Sequence, residues 1–441
     1  MSLILSAAGQ IDERDFMKLK AALRAHVDDE GRLVLPAEIV SRYGLKPGTE
    51  VYIDDGSNSL RLRQPVTHLA KVYIEPTNAC NLECRTCIRN IWDEPLGRMD
   101  SKTFDRVVKG LEAFSPRPTV FFGGFGEPLS HPGIVDMIAK VKVLGAPVEL
   151  ITNGTLLTQD MSRRLIEASL DVLWVSLDGA TPESYADVRL GAALPEVLAH
   201  LANLRKIRWG DYPPPFGFDY HLKPQVGIVF VAMKRNIADL PAVISLGNQL
   251  GASRFLVTNV LPYTAEMCDE ILYSRALTDA MYLPTLWGAR MKLPKMDMTE
   301  TTRESLFKVM RGGHTMILAG ASLGESNNRC PFIESGSMAI GWEGNLSPCL
   351  PLLHNHVTYL NGWERSLRRY GVGNIIERDL NVLWNSPEYV TFRERVQKFD
   401  FSYCIFCGGC NLIETNEEDC FGNTFPTCGG CLWAQGVIQC P

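Results

Sequence analysis

The sequence is poor in what a membrane or secreted protein needs. In its 441 residues there is no run of about 20 uncharged apolar residues, so no membrane-crossing helix is predicted. Its opening stretch, MSLILSAAGQIDERDF, has a short apolar run and no basic segment before it, unlike a secretory signal. Charge of one sign is not in excess either. The 44 Lys and Arg stand against 50 Asp and Glu, a net charge of −6, which excludes a global attraction to nucleic acid or anionic membrane. A cytoplasmic protein without membrane contact is the expectation. With 46% hydrophobic residues the chain can bury a large core, and its length allows two to four domains.

Cysteine is scarce over most of the chain and dense in two places. Of 13 cysteines, Cys80, Cys84 and Cys87 lie together and nine fall from Cys330 onward. Cys268 stands alone and reads as a small buried apolar residue. Without a secretion signal the thiols stay reduced, so dense clusters point to metal or catalysis before disulfides.

Three parts follow from the pattern. In residues 1–66, short β-like runs alternate with turn signals at Asp29–Gly31, Lys46–Gly48 and Asp54–Ser57, and Pro36 opens a helical stretch from Ala37 to Tyr43. Residues 67–300 hold six strand-like runs, each followed by a helix-like segment. They begin with LAKVYIEP (69–76), PTVFFGG (118–124) and VELITNG (148–154). VLWVSLDG (172–179), QVGIVFVAM (225–233) and RFLVTNV (254–260) complete the set. Apolar runs alternating with helices predict parallel strands covered on both faces. Six such units predict an incomplete barrel, with chemistry at the C-terminal strand ends. The polar punctuation sits there: the cysteine loop, GGFGEP, TNG and SLDG. Residues 301–441 are rich in glycine and cysteine, weakly periodic, and in need of a metal staple.

The three early cysteines are spaced C-x3-C-x2-C. Three thiolates hold three corners of an iron–sulfur cube and leave one iron open, as catalytic metal sites do. A zinc site that borrows a distant ligand is the competing reading. On this spacing, just after a first barrel strand, the chain resembles the radical S-adenosylmethionine (SAM) enzymes. That resemblance implies a [4Fe–4S] cluster on Cys80, Cys84 and Cys87 whose open iron takes the amino and carboxylate groups of SAM. One electron then splits SAM, and a 5′-deoxyadenosyl radical abstracts hydrogen from the substrate. It implies an electron donor of the ferredoxin or flavodoxin type and a partial (β/α)6 TIM-type α/β barrel. FFGGFGEPLSHP (121–132) is similar to the family's glycine-rich segment, where Gly124 and Gly126 allow close backbone approach and Glu127 can accept from the SAM ammonium group. In SLDGATPESYADVR (176–189), Ser176 and Asp178 are placed to meet the ribose or carboxylate, and Arg189 is a fork for the carboxylate. Asn153 of TNGT is either a cofactor contact or a turn residue. VTNVLP (257–262) would offer backbone groups to adenine. No general base stands out.

Cys330, Gly344 and Cys349 form a C-x13-G-x4-C run that resembles the opening of the SPASM extension, which carries auxiliary [4Fe–4S] clusters. Cys404, Cys407, Cys410, Cys420, Cys428, Cys431 and Cys440 follow with spacings of their own. One or two auxiliary clusters are expected across these nine cysteines, with zinc knuckles as the alternative. The stretch HVDDEGRLVLPAEIV resembles the swapped-hairpin module of AbrB and SpoVT regulators through Gly31-Arg32-Leu33-Val34-Leu35-Pro36. The resemblance implies a homodimer through residues 26–65. With 9 basic against 10 acidic residues in 1–65, DNA binding is not expected.

CNLECRTCIRNIWDEPLGRMD and the cysteine-rich tail are most similar to radical SAM maturases that accompany tungsten-dependent aldehyde:ferredoxin oxidoreductases. That implies a protein or pterin-cofactor substrate. A SPASM enzyme that modifies a peptide or protein is the alternative within the class. A DNA-binding iron–sulfur sensor is the alternative outside it. Trp92, Asp93 and Glu94 are expected to shield the cluster, with facing substrate as the alternative, and His354 and His356 to be surface or core histidines, with metal ligation as the alternative.

Overall fold

A computed structural model describes the chain from residue 24 onward, except residues 44, 46, 49–50, 52, 57–58, 63, 210–221, 274–289, 294–300, 303, 306–307, 309–314, 319–327, 361, 403 and 405–409. The chain divides into two compact units, Met1–His68 and Leu69–Pro441.

In the first unit, β1 (His26–Val27) pairs antiparallel with β2 (Leu33–Val34). The turn between them places Gly31 at φ +79°, a left-handed conformation that glycine adopts without strain. Arg32 donates from its Nε to Asp28, 2.9 Å away. Pro36 precedes the helix Ala37–Arg42, which buries none of its residues. A second hairpin joins β3 (Ile53–Gly56) to β4 (Ser59–Leu62).

The second unit is built on one large sheet. Its first six strands are β5 (Lys71–Ile74), β6 (Thr119–Phe122), β7 (Val148–Thr152), β8 (Val172–Ser176), β9 (Gln225–Ala232) and β10 (Ala252–Asn259). They lie side by side in chain order, every neighbouring pair parallel. These are the six apolar runs of the sequence. β8 is buried along its whole length, as a strand covered on both faces must be. Helices supply the cover. Ser101–Leu111 starts on Asp100, whose side chain accepts from the Thr103 amide, and turns Phe104, Val107 and Leu111 inward. Leu240–Gln249 buries Leu240, Val243, Ile244 and Gly247.

The sheet extends beyond the six. β11 (Arg290–Leu293) and β12 (Thr315–Leu318) continue it in parallel past β10. On the other side β13 (Ser337–Ile340) pairs parallel with β5, followed by β14 (Asn345–Ser347). After the separate hairpin of β15 (His356–Leu360) and β16 (Trp363–Leu367), β17 (Gly373–Asn374) adds to the β14 edge. Residues 301–441, weakly periodic in sequence, therefore lend strands to the barrel sheet. Runs of two to five residues are too short to show a period.

Side chains on one face of the sheet meet in register. Tyr73 faces Phe121, Phe121 faces Glu149, and Trp174 faces Gly227. A Cβ at Gly227 would lie 2.3 Å from the Trp174 ring, so the glycine makes room for the indole. The half-buried Lys71 and Glu149 pair at 3.1 Å, and the Trp174 indole donates to the same Glu149 carboxylate at 3.3 Å.

Candidate active site

All six strand ends open onto one cavity of about 260 Å³. Cys80, Cys84 and Cys87 line it from beyond β5. Gly124 and Gly126 come from beyond β6, Asn153 from β7, Ser176 from β8, Val231 from β9, and Thr258 with Asn259 from β10. Strand ends can share one small cavity only if the sheet curls, which gives the barrel its open mouth.

The cysteine loop is fastened at its base. Asn78 donates to the Pro95 carbonyl at 2.9 Å and accepts from the Gly97 amide at 2.8 Å, and Thr77 bridges Arg98. The loop then closes on itself, with the Cys87 amide donating to the Cys84 carbonyl. The segment read as glycine-rich packs on this base. The Glu127 amide donates to the Ala79 carbonyl at 2.9 Å. A Cβ at Gly126 would stand 2.1 Å from the Thr77 carbonyl oxygen and 2.6 Å from that of Ala79. Both neighbours are backbone, so nothing can give way.

The polar residues singled out from sequence take distinct places. Glu127 is buried and accepts three bonds, from the Leu129 amide (2.9 Å), the Thr152 hydroxyl (2.8 Å) and the Asn153 amide (2.8 Å). It ties the end of β6 to the end of β7. Burial pushes its carboxyl above the ordinary range, against the opposing pull of those donors. Asn153 turns its amide toward Cys80 Sγ at 3.8 Å and bonds Asn81 at 3.0 Å. Arg189 reaches the cavity with its Nη1 3.9 Å from Cys84 Sγ. Its Nε and Nη2 both sit 2.6 Å from one oxygen of Asp178. Asp178 is fully buried and also accepts from the Val231 amide at 2.7 Å. It stands behind Arg189, outside the cavity lining, and holds the guanidinium whose fork the sequence had suggested for a ligand.

Three thiols, a buried guanidinium and a carboxamide around one cavity suit a cluster and a charged ligand. Burial pushes the Cys80 and Cys87 thiols up, so bound metal must supply what makes them anionic.

Sequence reasoning named Trp92, Glu94 and His354, a core histidine as expected, but missed Glu75 and the meeting of the four beside the loop. Glu75 at the end of β5 and Glu94 in the cysteine loop clasp His354 from both sides, at 2.8 Å and 2.5 Å. Burial alone would lower the His354 pKa, but the two carboxylates outweigh it and raise it. Trp92 lies against the ring, with centroids 4.4 Å apart. Glu75 was visible as a lone acid ending an apolar run. Its partner stands 279 residues away, beyond the reach of any spacing rule.

The cysteines of the third part separate. Cys330, Cys349, Cys428 and Cys431 line one further cavity, together with Arg365 and Trp433. Burial pushes the Cys330 thiol up to about 12, and raises those of Cys349, Cys428 and Cys431. Cys404 contacts Ser402 Oγ at 3.0 Å, Cys410 and Cys420 are exposed, and Cys407 lies outside the described residues. Cys440 lines a different cavity, with Tyr73 and Arg329. Among the described residues no three His, Cys, Asp or Glu side chains converge as the ligands of a single metal ion would. The last residues run back to the barrel. The Gln439 amide donates to Thr258 at 2.8 Å, Asn259 donates to the Val437 carbonyl at 2.8 Å, and Lys71 donates to the Pro441 carbonyl at 2.8 Å. Trp433 and Ile438 thereby complete the wall of the six-strand cavity. Among the described residues no helix is long and apolar enough to cross a membrane.

Comparisons with known proteins agree with this layout. The radical SAM superfamily description matches residues 74–211, and the SPASM iron–sulfur cluster-binding domain matches residues 330–411. The chain is 31% identical to the tungsten-containing aldehyde ferredoxin oxidoreductase cofactor-modifying protein of Pyrococcus furiosus, over 84% of this chain and 96% of that protein. It is 28% identical to the AdoMet-dependent heme synthase of Methanosarcina barkeri, over 54% of this chain and 63% of that one. Among solved structures, native anSMEcpe with bound AdoMet and Cp18Cys peptide shares the fold, with a TM-score of 0.50 at 16% identity, over 84% of this chain and 91% of that one.

Proposed function

From the premise that this chain belongs to the radical SAM superfamily, as a SPASM-type enzyme that uses a [4Fe–4S] cluster, SAM and auxiliary clusters, we propose that it matures a tungsten-dependent oxidoreductase or its pterin cofactor. The observation that carries this is the near-complete reach of the match to the cofactor-modifying protein of Pyrococcus furiosus, 96% of that chain. A superfamily likeness alone would stop with the barrel.

The residues divide the work as follows. Cys80, Cys84 and Cys87 hold the first cluster at the strand ends. When bound, cluster and SAM supply reductive cleavage and hydrogen-atom abstraction. Gly126 keeps the β6 loop tight against the base of the cysteine loop, and Gly124 leaves room for the Glu75 side chain. Glu127 fixes the β7 end so that Asn153 faces the cavity. Asp178 orients Arg189, whose guanidinium stands beside Cys84 Sγ and favours an anionic ligand group there. Trp433 and Ile438 close the wall against water.

In the first unit, no described side chain between residues 24 and 64 is buried. Val27 and Ile53 are 65% and 54% exposed. Exposed apolar side chains on these strands, with no described residue from 24 to 64 buried, support the homodimer through residues 26–65.

The test is anaerobic reconstitution with SAM and dithionite. The wild-type chain releases 5′-deoxyadenosine and Cys84→Ala does not. A tungsten oxidoreductase purified from cells lacking this protein should then be inactive, with a pterin of altered mass. An oxidoreductase with unchanged activity and unchanged pterin overturns the substrate assignment.

A further inference from the structure

One guanidinium in the cysteine-rich part pairs with no carboxylate among the described residues. Arg365 on β16 is 3% exposed, and among those residues its buried Nε has no hydrogen-bond partner. A buried cation is strongly unfavourable unless an anion faces it. Among the described residues, the groups whose charge bears most on Arg365 are three thiols, Cys404, Cys431 and Cys428.

The surroundings are built around it. Gly430 lies between Cys428 and Cys431, and a Cβ there would stand 1.7 Å from Arg365 Nη1. That glycine lets the guanidinium reach the turn carrying both cysteines. Cys330, Cys349, Cys428 and Cys431 line one cavity with Arg365 among them. Neutral thiols offer the cation nothing. Four thiolates around an iron–sulfur cube offer about two negative charges when it is oxidised and about three when it is reduced.

We infer that Cys330, Cys349, Cys428 and Cys431 hold one auxiliary cluster, and that Arg365 is its buried counter-cation. The inference rests on the reading of this part as a cluster-binding domain. Because the reduced cluster carries the larger negative charge, a fixed cation stabilises it more and raises the reduction potential. Arg365 is a positioning and tuning residue, with no part in the bond-breaking step.

The experiment uses the full-length chain with Cys80, Cys84 and Cys87 changed to alanine, reconstituted anaerobically so that only auxiliary sites fill. Iron and sulfide are counted, and a redox titration is followed by electron paramagnetic resonance. Cys349→Ala and Cys428→Ala should each lose about four irons, one cluster. Arg365→Met should keep the iron of its parent and shift the reduction equilibrium at least tenfold toward the oxidised form, about 59 mV for one electron. Arg365→Lys, which keeps the charge, should retain most of the parent's potential. If Arg365→Met does not fold, Arg365→Gln against Arg365→Lys makes the same comparison. Unchanged potentials across these variants, full iron after loss of Cys349 or Cys428, or zinc in place of iron overturns the inference. Absence of 5′-deoxyadenosine from the wild-type chain with these shifts intact would sink the activity and leave this site standing.

Discussion

Changing Asp178 to alanine strands Arg189. The guanidinium stays charged, stays buried, and loses an oxygen 2.6 Å from both Nε and Nη2. The Val231 amide loses its acceptor as well. Removing one partner of a buried pair costs about 3–5 kcal/mol, because an uncompensated charge remains. Asp178→Leu with Arg189→Met removes both charges and replaces them with apolar volume. That double variant should therefore be less destabilised than Asp178→Ala alone, a non-additivity of about 0.5–3 kcal/mol for groups in contact. Chemical denaturation followed by tryptophan fluorescence reads it, with Trp174 on the strand that leads to Asp178. SAM binding adds a second arm. Asp178 acts through Arg189, so loss of binding in Asp178→Asn must come with loss of stability. An unchanged denaturation midpoint with lost SAM binding would show that Asp178 touches the ligand, and would refute the positioning role.

Other outcomes follow from the same geometry. His354 has a folded pKa raised above its ordinary value by Glu75 and Glu94. Its contribution is therefore whole below about pH 6.5 and fades as pH rises through the raised value, by up to about 1.4 kcal/mol per pH unit. His354→Gln should flatten that part of the stability–pH curve, and an unchanged slope would exclude the clasped imidazolium. Gly126→Ala forces a methyl onto two carbonyl oxygens of the cysteine-loop base. It should cost about 1–3 kcal/mol and lose about four irons per chain, while Gly371→Ala, whose Cβ would meet nothing nearer than the Leu346 carbonyl oxygen at 3.9 Å, should keep them. Glu127→Gln turns an N–H toward one of three donors, and should cost about 1–3 kcal/mol on denaturation. Val27→Asp with Leu33→Asp should convert a dimer to a monomer by light scattering, and a monomeric wild type would remove the dimer.

The barrel was legible because its strands announce themselves. Six apolar runs of seven to nine residues alternate with helices whose capping residues and apolar spacing agree with them. The cysteine loop was legible because its chemistry needs three thiols in one short turn. Asp178 was legible as a polar residue at a strand end, but its task was not, since its partner lies across a helix that spacing alone does not orient. Arg365 and Gly430 carry no local signal at all. One is an arginine in an ordinary hairpin strand, the other a glycine between two cysteines, and only tertiary packing makes them neighbours. The same holds for β13, four residues whose strand character comes from pairing with β5.

The return of the last residues to the barrel also sets an order of assembly. Lys71 bonds the carbonyl of Pro441 across 370 residues of sequence, and Trp433 and Ile438 close a cavity whose other walls precede them. During synthesis from the N-terminal end, the cysteine loop leaves the ribosome long before its cover exists. Contacts so distant in sequence form late. The nascent barrel is therefore open while the rest of the chain is being made. Until the tail docks, Cys80, Cys84 and Cys87 stand in a wider mouth than the finished cavity offers.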